Sequence, residues 1–352
     1  DPRNPNGLWT AFDQLAQATI DSLNTRVAIV QGMPQPVPVE PAKRLEPPPQ
    51  EQTRLARVPT NSLDAQAAFG RGLVAYKKHD WRGAVSEFER ATALDPDYAL
   101  AWQKLGFVLQ DLGRWSESIA ASERGYQLYT RLGDEPGQAG TLNAIGVVYT
   151  RQGRYAQALD YYDRSLNLRE KLRDELGQAA TLSNIGSVHR NQGRYAQALD
   201  YYDRSLKLAE KSGDEPGQAR IRQNIGNVHQ NQGRYAQALD YYDRSLKLAE
   251  KLGDEPRQAQ TLNNIGVVHG NQGRAAQALD YYDRSLKLHE KLGDEPGIVR
   301  GVGNIGNVER AQGRYAEALA SYERGLNIAE RLGLPERESF RRLRDEMQKR
   351  AR

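Results

Sequence analysis

The 352-residue sequence contains no cysteine. Disulfide bonds, thiolate zinc sites and cysteine nucleophiles are therefore excluded. The compartment is left open, because a chain without cysteine is compatible with reducing and oxidising surroundings alike. Apolar residues are also scarce, at 38% of the chain against 27% for charged residues. This balance is typical of an architecture with much surface and a narrow core.

No apolar run reaches the roughly 18 residues that a membrane-spanning helix needs. The chain begins at Asp1, without an initiator methionine or a signal-like apolar stretch, which indicates a processed protein or a piece of a longer one. These features favour a cytoplasmic over an extracytoplasmic location.

The chain has no strong excess of either charge. Its formal net charge is +4, from 49 basic and 45 acidic residues, and residues 336–352 alone carry seven basic against four acidic side chains. Nucleic-acid binding would require clustered Lys and Arg on one face, and the rest of the sequence is close to neutral. The charge pattern therefore predicts no nucleic-acid partner.

From Leu142 onward the sequence repeats itself every 40 residues. The tripeptide Asn-Ile-Gly begins at 184, 224, 264 and 304, and Gln-Gly-Arg begins at 152, 192, 232, 272 and 312. A fixed period of this length is the signature of stacked supersecondary units, which bury a continuous core only by packing on their neighbours.

Each repeat unit is predicted to form two helices. In the unit that contains Gly186, apolar residues at Leu182, Ile185 and Val188 form a helical stripe that ends at the Gln-Gly-Arg turn. A second helix is predicted over about 195–211. Gly186 lies in the middle of the first helix, where glycine costs about 1 kcal/mol relative to alanine. Its recurrence in every copy predicts a close approach between helices that a Cβ atom would block.

Two earlier units follow the same plan at a spacing of 34 residues. The second opens with Trp102 and the pair Leu105-Gly106, and the first, residues 65–98, carries Gly72, Ala84, Phe88, Ala91 and Pro96. These residues match the pattern of the tetratricopeptide-repeat (TPR) family. The five 40-residue units resemble the extended variant found in kinesin light chains and spindle-orientation adaptors.

This resemblance implies an all-α fold, a right-handed α-α superhelical solenoid of about seven hairpins. The solenoid is expected to span residues 63–332, with repeats near 65–98, 99–132, 139–172, 179–212, 219–252, 259–292 and 299–332. A capping helix and basic tail are predicted over 333–352, with Leu343 and Met347 as the apolar contacts of that helix.

The first 62 residues differ from the rest. Residues 1–26 contain a helical apolar stripe and are predicted to form an amphipathic helix. Residues 27–62 are predicted to form an extended arm or linker, because residues 34–59 hold eight of the sixteen prolines. This entry region resembles linkers of bacterial signalling proteins that lead into such repeats.

One column of the repeat holds candidate metal ligands, since equivalent positions carry Tyr149, His189, His229, His269 and Glu309. A zinc site needs ligands that converge on one ion, whereas equivalent positions of adjacent helices lie at least about 8–10 Å apart. The histidines are therefore interpreted as substitutes for an aromatic residue that packs between hairpins. No metal or other cofactor is predicted.

Paired tyrosines, such as Tyr201 and Tyr202, are a candidate for stacking on nucleic-acid bases. An Asp-Arg sequence follows each pair, in place of the basic groove that such a platform needs. The second tyrosine is interpreted as a core residue and the first as cover for the outer side. The sequence contains no phosphate-binding glycine loop and no nucleophile–base motif, so no enzymatic activity is predicted.

Overlaying the units shows that variation is concentrated on the first helix. The variable columns are spaced 3, 4 and 3 residues apart and so share one helical face, which the family resemblance places on the concave side. Exposed positions of the second helix, such as Gln197 and Gln237, are constant. The variable face is therefore predicted to be a peptide-binding groove, and the Asn-Ile-Gly asparagines resemble the peptide-clamping asparagines of the spindle and kinesin adaptors. The predicted groove residues are Asn143, Ser183, Asn184, Arg190, Arg220, Gln223, Asn224, Asn227, Gln230, Asn263, Asn264, Arg300, Asn304, Asn307 and Arg310.

The leading hypothesis is a non-catalytic scaffold that binds an extended peptide or partner protein. The arginines Arg190, Arg220, Arg300 and Arg310 favour an acidic or carboxylate-bearing ligand. Two alternatives stay open. In the first, the Pro-rich arm docks in a groove, which is either its own or that of a neighbouring protomer. Docking on a neighbour would build an oligomer or a filament. Otherwise the chain is the interaction portion of a larger bacterial signalling protein.

Overall fold

The structure is a computed structural model that describes Thr60 and residues 62–350. These residues contain fifteen α-helices and no β-strand. The predicted N-terminal helix, nearly all of the arm and the last two residues of the basic tail lie outside the described part. In chain order the helices are α1 Leu63–Lys77, α2 Trp81–Leu94, α3 Ala99–Asp111, α4 Trp115–Leu132, α5 Glu135–Arg151, α6 Tyr155–Lys171, α7 Glu175–Asn191, α8 Tyr195–Lys211, α9 Glu215–Asn231, α10 Tyr235–Leu252, α11 Glu255–Asn271, α12 Ala275–Leu292, α13 Glu295–Ala311, α14 Tyr315–Leu332 and α15 Arg337–Arg350.

The first fourteen helices are numbered in chain order as seven hairpins, each a helix A followed by a helix B, from hairpin one (α1–α2) to hairpin seven (α13–α14), and α7–α8 is called hairpin four by its order in the chain alone. The packed pairs are α1 with α2, α3 with α4, α5 with α6, α9 with α10, α11 with α12, and α13 with α14, while α15 packs on α14. The predicted all-α fold of tandem helix pairs is confirmed.

The chain divides into two compact units between Val188 and His189, inside α7. The first unit contains hairpins one to three and most of α7. The second contains the end of α7, then α8, hairpins five to seven, and α15. Within each unit neighbouring helices A also contact one another, α3 with α5 in the first, and α9 with α11 and α11 with α13 in the second.

Helices A of the extended hairpins begin at an aspartate. The Asp134 carboxylate accepts a hydrogen bond from the Gly137 N–H at 2.9 Å, and Pro136 follows within the first turn. Asp214, Asp254 and Asp294 cap their helices in the same way. A short polar side chain before a proline at the first turn is a strong helix-start signal, because it satisfies a backbone N–H that has no partner within the helix.

In five of the six packed hairpins, an aromatic ring of helix B lies against a glycine of helix A, and in hairpin two Gly106 lies against Ser122 instead. A Cβ atom on Gly226 would lie 2.6 Å from Cε1 of the fully buried Tyr242. The corresponding distances at Gly146, Gly266 and Gly306 are 2.6–2.7 Å. The recurring glycine therefore permits the close approach that the sequence predicted, and the group that it admits is the tyrosine ring.

Helix α15 closes the second unit. Phe340 and Met347 are buried, and Leu343 is partly buried against the same cluster. A Cβ atom on Gly325 of α14 would lie only 2.5 Å from Phe340 Cε1. Leu343 and Met347 were predicted as the apolar contacts of this helix, whereas Phe340, its aromatic contact, was not.

We expect Gly226→Ala to destabilise the second unit by about 1–2 kcal/mol. The added methyl group improves helix propensity by about 1 kcal/mol but overpacks the Tyr242 ring, and overpacking costs typically 1–3 kcal/mol or more. Urea denaturation followed by circular dichroism measures the change. Gly270→Ala is the matched control, because its Cβ would meet nothing closer than 3.7 Å. That variant should be slightly stabilised, and equal destabilisation of both variants would contradict the role given to the ring.

We expect Arg173→Gly to stabilise the first unit by about 0.5–1 kcal/mol. Arg173 ends hairpin three at φ 54°, where hairpins two, five, six and seven have a glycine at φ 65–67°. The left-handed conformation costs a residue with a Cβ roughly 1–2 kcal/mol, which glycine does not pay. Part of this gain is lost because glycine also increases the conformational entropy of the unfolded chain. The reciprocal change Gly253→Arg should destabilise the second unit, and both effects are read from urea midpoints. A lower midpoint for Arg173→Gly would refute the assignment of strain.

Candidate functional site

The predicted groove residues lie on helices A, together with Thr150, Val267 and Gly270 in the same columns, and we call this set the polar A face. Most of its side chains are half-buried, while Arg300 and Asn307 are exposed. Ser183 and Gln223 are buried, so little of either side chain is open to a ligand.

Asparagine side chains connect neighbouring helices A. Within the first unit Asn184 Nδ2 donates to Asn143 Oδ1 at 3.0 Å. Within the second unit Asn304 Nδ2 donates to Asn263 Oδ1 at 2.8 Å, and Asn264 Nδ2 donates to the Oδ1 atom of Asn227 at 3.2 Å. These bonds hold the asparagines of the Asn-Ile-Gly motif in defined positions while leaving part of their hydrogen-bonding capacity unused.

The polar A face also supplies acceptors to the core tyrosines. The Tyr242 hydroxyl lies 2.7 Å from both Asn227 Oδ1 and Gln230 Oε1 and donates its one proton to either oxygen. In hairpin seven the Tyr322 hydroxyl donates to Asn307 Oδ1 at 2.9 Å. Burial raises the pKa of Tyr242, so its hydroxyl is protonated and acts as a donor at neutral pH.

The arginines of the polar A face are in different surroundings. Arg310 Nη1 lies 3.6 Å from Glu346 Oε2 of α15. Arg190 Nη2 donates to Asn191 Oδ1 at 3.3 Å. Arg300 is exposed. Burial lowers the pKa of the Arg220 guanidinium, and the neighbouring cation Arg257 lowers it further.

Arg257 is a residue that the sequence analysis missed. Its Nε atom donates to Asp254 Oδ2 at 3.0 Å, and its Nη1 atom donates to Gln223 Oε1 at 3.5 Å. The signal was present in the sequence, because Arg257 is the non-glycine member of a column that reads Gly137, Gly177, Gly217, Arg257 and Gly297. Arg257 lies close enough to Arg220 to lower the pKa of that guanidinium, while its own charge is paired with Asp254.

The repeated histidines stack on the first tyrosine of each pair. The His229 and Tyr241 rings are 5.5 Å apart at 17°, and the His269 and Tyr281 rings are 5.3 Å apart at 13°. In hairpin three Tyr149 replaces the histidine in the same stack. The stack joins helix A to helix B of one hairpin, a contact that was not predicted from the sequence. No group of three His, Asp or Glu side chains converges on a metal position within residues 62–350.

The second tyrosine of each pair is buried, as predicted for a core residue, in Tyr162, Tyr202, Tyr242 and Tyr282. The first tyrosine is half-buried between the histidine and an arginine one turn later. Arg204 lies over the Tyr201 ring at 5.2 Å, for example. Each first tyrosine thus stacks on the ring of helix A and also makes a cation–π contact with the arginine of its own helix.

We expect the second unit to lose stability as the pH falls below about 6.5, the ordinary histidine value. Burial lowers the pKa of His229 and His269, and Arg234 and Arg274 lower them further, with a smaller opposite effect from Asp203 and Asp243. The folded state then binds fewer protons than the unfolded state, so the stability present above pH 6.5 is lost towards lower pH.

The measurement is the urea midpoint between pH 7.5 and 5. The double variant His229→Tyr/His269→Tyr copies the stack of Tyr149 and removes these two histidines, while His289, whose pKa burial also lowers, stays in both proteins. The midpoint of the double variant should fall less over this range than that of the unaltered chain. An equal fall in both proteins would show that other groups cause the pH dependence.

The sequence pattern of the tetratricopeptide repeat matches residues 97–171, 177–251 and 257–331, which together make up more than half of the chain. No curated protein matches the sequence. No helix in residues 62–350 combines the length and apolarity that crossing a membrane requires.

Several solved structures share the fold. BtubC (BKLC) from P. vanneervenii has a TM-score of 0.56 at 21% identity, over 62% of this chain and 92% of that one. The aspartyl phosphate phosphatase F of Bacillus subtilis has a TM-score of 0.62 at 15% identity, over 79% and 72% of the two chains. A Rap protein complexed with competence and sporulation factor has a TM-score of 0.61 at 17% identity, over 80% and 79%. At these identities the similarity concerns the fold.

Proposed function

The chain belongs to the tetratricopeptide-repeat family, and from this membership and its polar A face we propose that it is a non-catalytic scaffold that binds an extended polypeptide. The binding surface in this proposal is the set of predicted groove residues on helices A. The Rap protein solved in complex with competence and sporulation factor supports the proposal at the level of the fold.

The observation that carries the proposal is the way the asparagines of neighbouring helices A are held. In the Asn263–Asn304 pair, one Nδ2 proton of Asn304 is used by Asn263 Oδ1. The Oδ1 and second Nδ2 proton of Asn304, and the Nδ2 group of Asn263, have no partner in the described part of the chain. Both side chains are half-buried and so lose little freedom when a ligand binds.

An extended peptide backbone offers N–H and C=O groups, and carboxamides both accept and donate. The Asn143–Asn184 pair in the first unit repeats the arrangement of Asn263 and Asn304. A row of such amides binds a main chain with little dependence on its side chains, which is how strand-like peptides are commonly held.

The cations favour an acidic element in the ligand. Arg300 is exposed, and Arg257 lies close enough to Arg220 to lower the pKa of the Arg220 guanidinium. A ligand carboxylate beside Arg220 would counter this effect, whereas Arg257 itself is already paired with Asp254 at 3.0 Å. Arg310 contributes less in this proposal, because Glu346 already lies 3.6 Å away.

The test uses peptides selected from a random displayed library against the full chain, with affinities measured by calorimetry. Asn264→Ala/Asn304→Ala should weaken binding at least tenfold, which is about 1.4 kcal/mol, because two carboxamides that contact the peptide are removed. The control Gln237→Ala/Gln277→Ala removes two exposed carboxamides from helices B.

The control should bind with unchanged affinity, and melting temperatures separate loss of binding from loss of folding. If the asparagine variant stays folded and keeps its affinity, the polar A face is not the binding surface. The self-assembly alternative rests on residues 27–62, nearly all of which lie outside the described part, and it stays a prediction.

A further inference from the structure

Hairpin six differs from hairpin five in two columns of the polar A face. Val267 stands where hairpin five has Asn227, and Gly270 stands where it has Gln230. In hairpin five these positions lie 15 and 12 residues before the core tyrosine and supply both acceptors of its hydroxyl. Hairpin six has the tyrosine and lacks both acceptors.

The Tyr282 hydroxyl has no hydrogen-bond partner among the residues that the structure describes. Val267 has no polar side-chain atom and Gly270 has no side chain. Tyr282 as a whole is 4% exposed, but its hydroxyl oxygen is not among the fully buried polar atoms and keeps some access to solvent. The described residues do not use its proton, so the hydroxyl is available to an acceptor from outside the chain.

The place that the Gln230 side chain fills in hairpin five is open in hairpin six. A Cβ atom on Gly270 would have Tyr282 Oη at 3.7 Å and Ala278 Cβ at 3.9 Å as its nearest neighbours. One turn earlier, a Cβ on Gly266 would lie 2.6 Å from the same tyrosine ring. We call the space bordered by Val267, Gly270, Ala278 and Tyr282 the Gly270 notch.

The notch suits a neutral oxygen acceptor. Burial alone raises the pKa of Tyr282 to about 12, with no contribution from a charged neighbour. The hydroxyl is thus a donor at neutral pH, and a carboxylate brought to it would be partly buried without a cation. The acceptors that serve Tyr242 and Tyr322 in the neighbouring hairpins are carboxamide oxygens.

We propose that the Gly270 notch binds a glutamine or asparagine side chain of the peptide ligand. Its carboxamide oxygen accepts the hydrogen bond of Tyr282 Oη and takes the place that Gln230 occupies in hairpin five. This inference rests on the proposed function and adds a side-chain preference to a surface that otherwise recognises main chain. Hairpin six thereby fixes the register of the bound peptide.

The test follows the tyrosine ¹³Cζ resonances of the labelled full chain by NMR, with Tyr282 and Tyr242 assigned through their phenylalanine variants. The probe is N-acetylglutamine N-methylamide, and the comparison probes carry glutamate or norleucine in place of glutamine. We expect saturable shifts of the Tyr282 resonance with the glutamine probe, at a Kd of about 1–10 mM as befits so small a ligand. The two comparison probes should shift it at least fivefold less.

Two reciprocal double variants exchange the notch residues between hairpins five and six. Gly270→Gln/Val267→Asn copies hairpin five into hairpin six and should abolish the Tyr282 response while raising the melting temperature. Gln230→Gly/Asn227→Val copies hairpin six into hairpin five, and the Tyr242 resonance should then respond to the glutamine probe. If Gly270 had only a structural role, copying hairpin six into hairpin five would not make the Tyr242 resonance respond to the glutamine probe.

An unshifted Tyr282 resonance, or equal shifts with norleucine, would overturn the notch. If the library-selected peptides still lose affinity on Asn264→Ala/Asn304→Ala, the proposed function stands without the notch. If the notch responds and that affinity is unaffected, the side-chain subsite exists and the main-chain groove does not.

Discussion

The contact of an aromatic ring with a glycine sets the distance between the two helices of a hairpin. The Tyr242 ring leaves no room for a Cβ at Gly226, and the same contact recurs at Gly146, Gly266 and Gly306. Because the ring fills this space almost completely, neither partner can change alone without a void or a clash. Helix B and the inner side of helix A are correspondingly constant along the sequence, and variation is confined to positions that the contact does not involve.

The same tyrosines give three amides of the polar A face a structural role. Each buried ring brings its hydroxyl next to the polar A face, where the hydroxyl needs a hydrogen-bond acceptor. Asn227 and Gln230 meet that need in hairpin five, and Asn307 does so in hairpin seven. The residues proposed to hold a peptide therefore also complete the core, which links recognition to stability. Hairpin six is the exception. There the tyrosine hydroxyl has no partner among the described residues, so the proposed surface offers a hydrogen-bond donor at this hairpin where its neighbours offer carboxamides.

Periodicity made the helices, the hairpin glycine and the buried second tyrosine predictable, because each obeys a local rule that recurs forty residues later. Phe340 was missed because α15 follows no repeat, so its buried side could not be found by overlaying units. The stack of each histidine on a tyrosine of its own hairpin was not predicted, since a column of equivalent residues does not reveal which side chains its members contact. Arg257 was overlooked because its column, which is otherwise glycine, was not among the variable columns of helix A.

The sequence by itself determined the number of hairpins, their order and the face on which they differ, because helix periodicity and the capping residues act within about 20 residues. Only the tertiary structure decided which polar groups are satisfied. Asn143 meets Asn184 and Asn263 meets Asn304 at a separation of 41 residues, whereas Asn227 meets Asn264 at 37. These pairings depend on the lateral offset of adjacent helices A, which is set by how the rings and glycines pack. A repeat of fixed period carries no information about that offset. The burial of Ser183 and Gln223, and the lack of a partner for the Tyr282 hydroxyl among the described residues, therefore appear only in the folded chain.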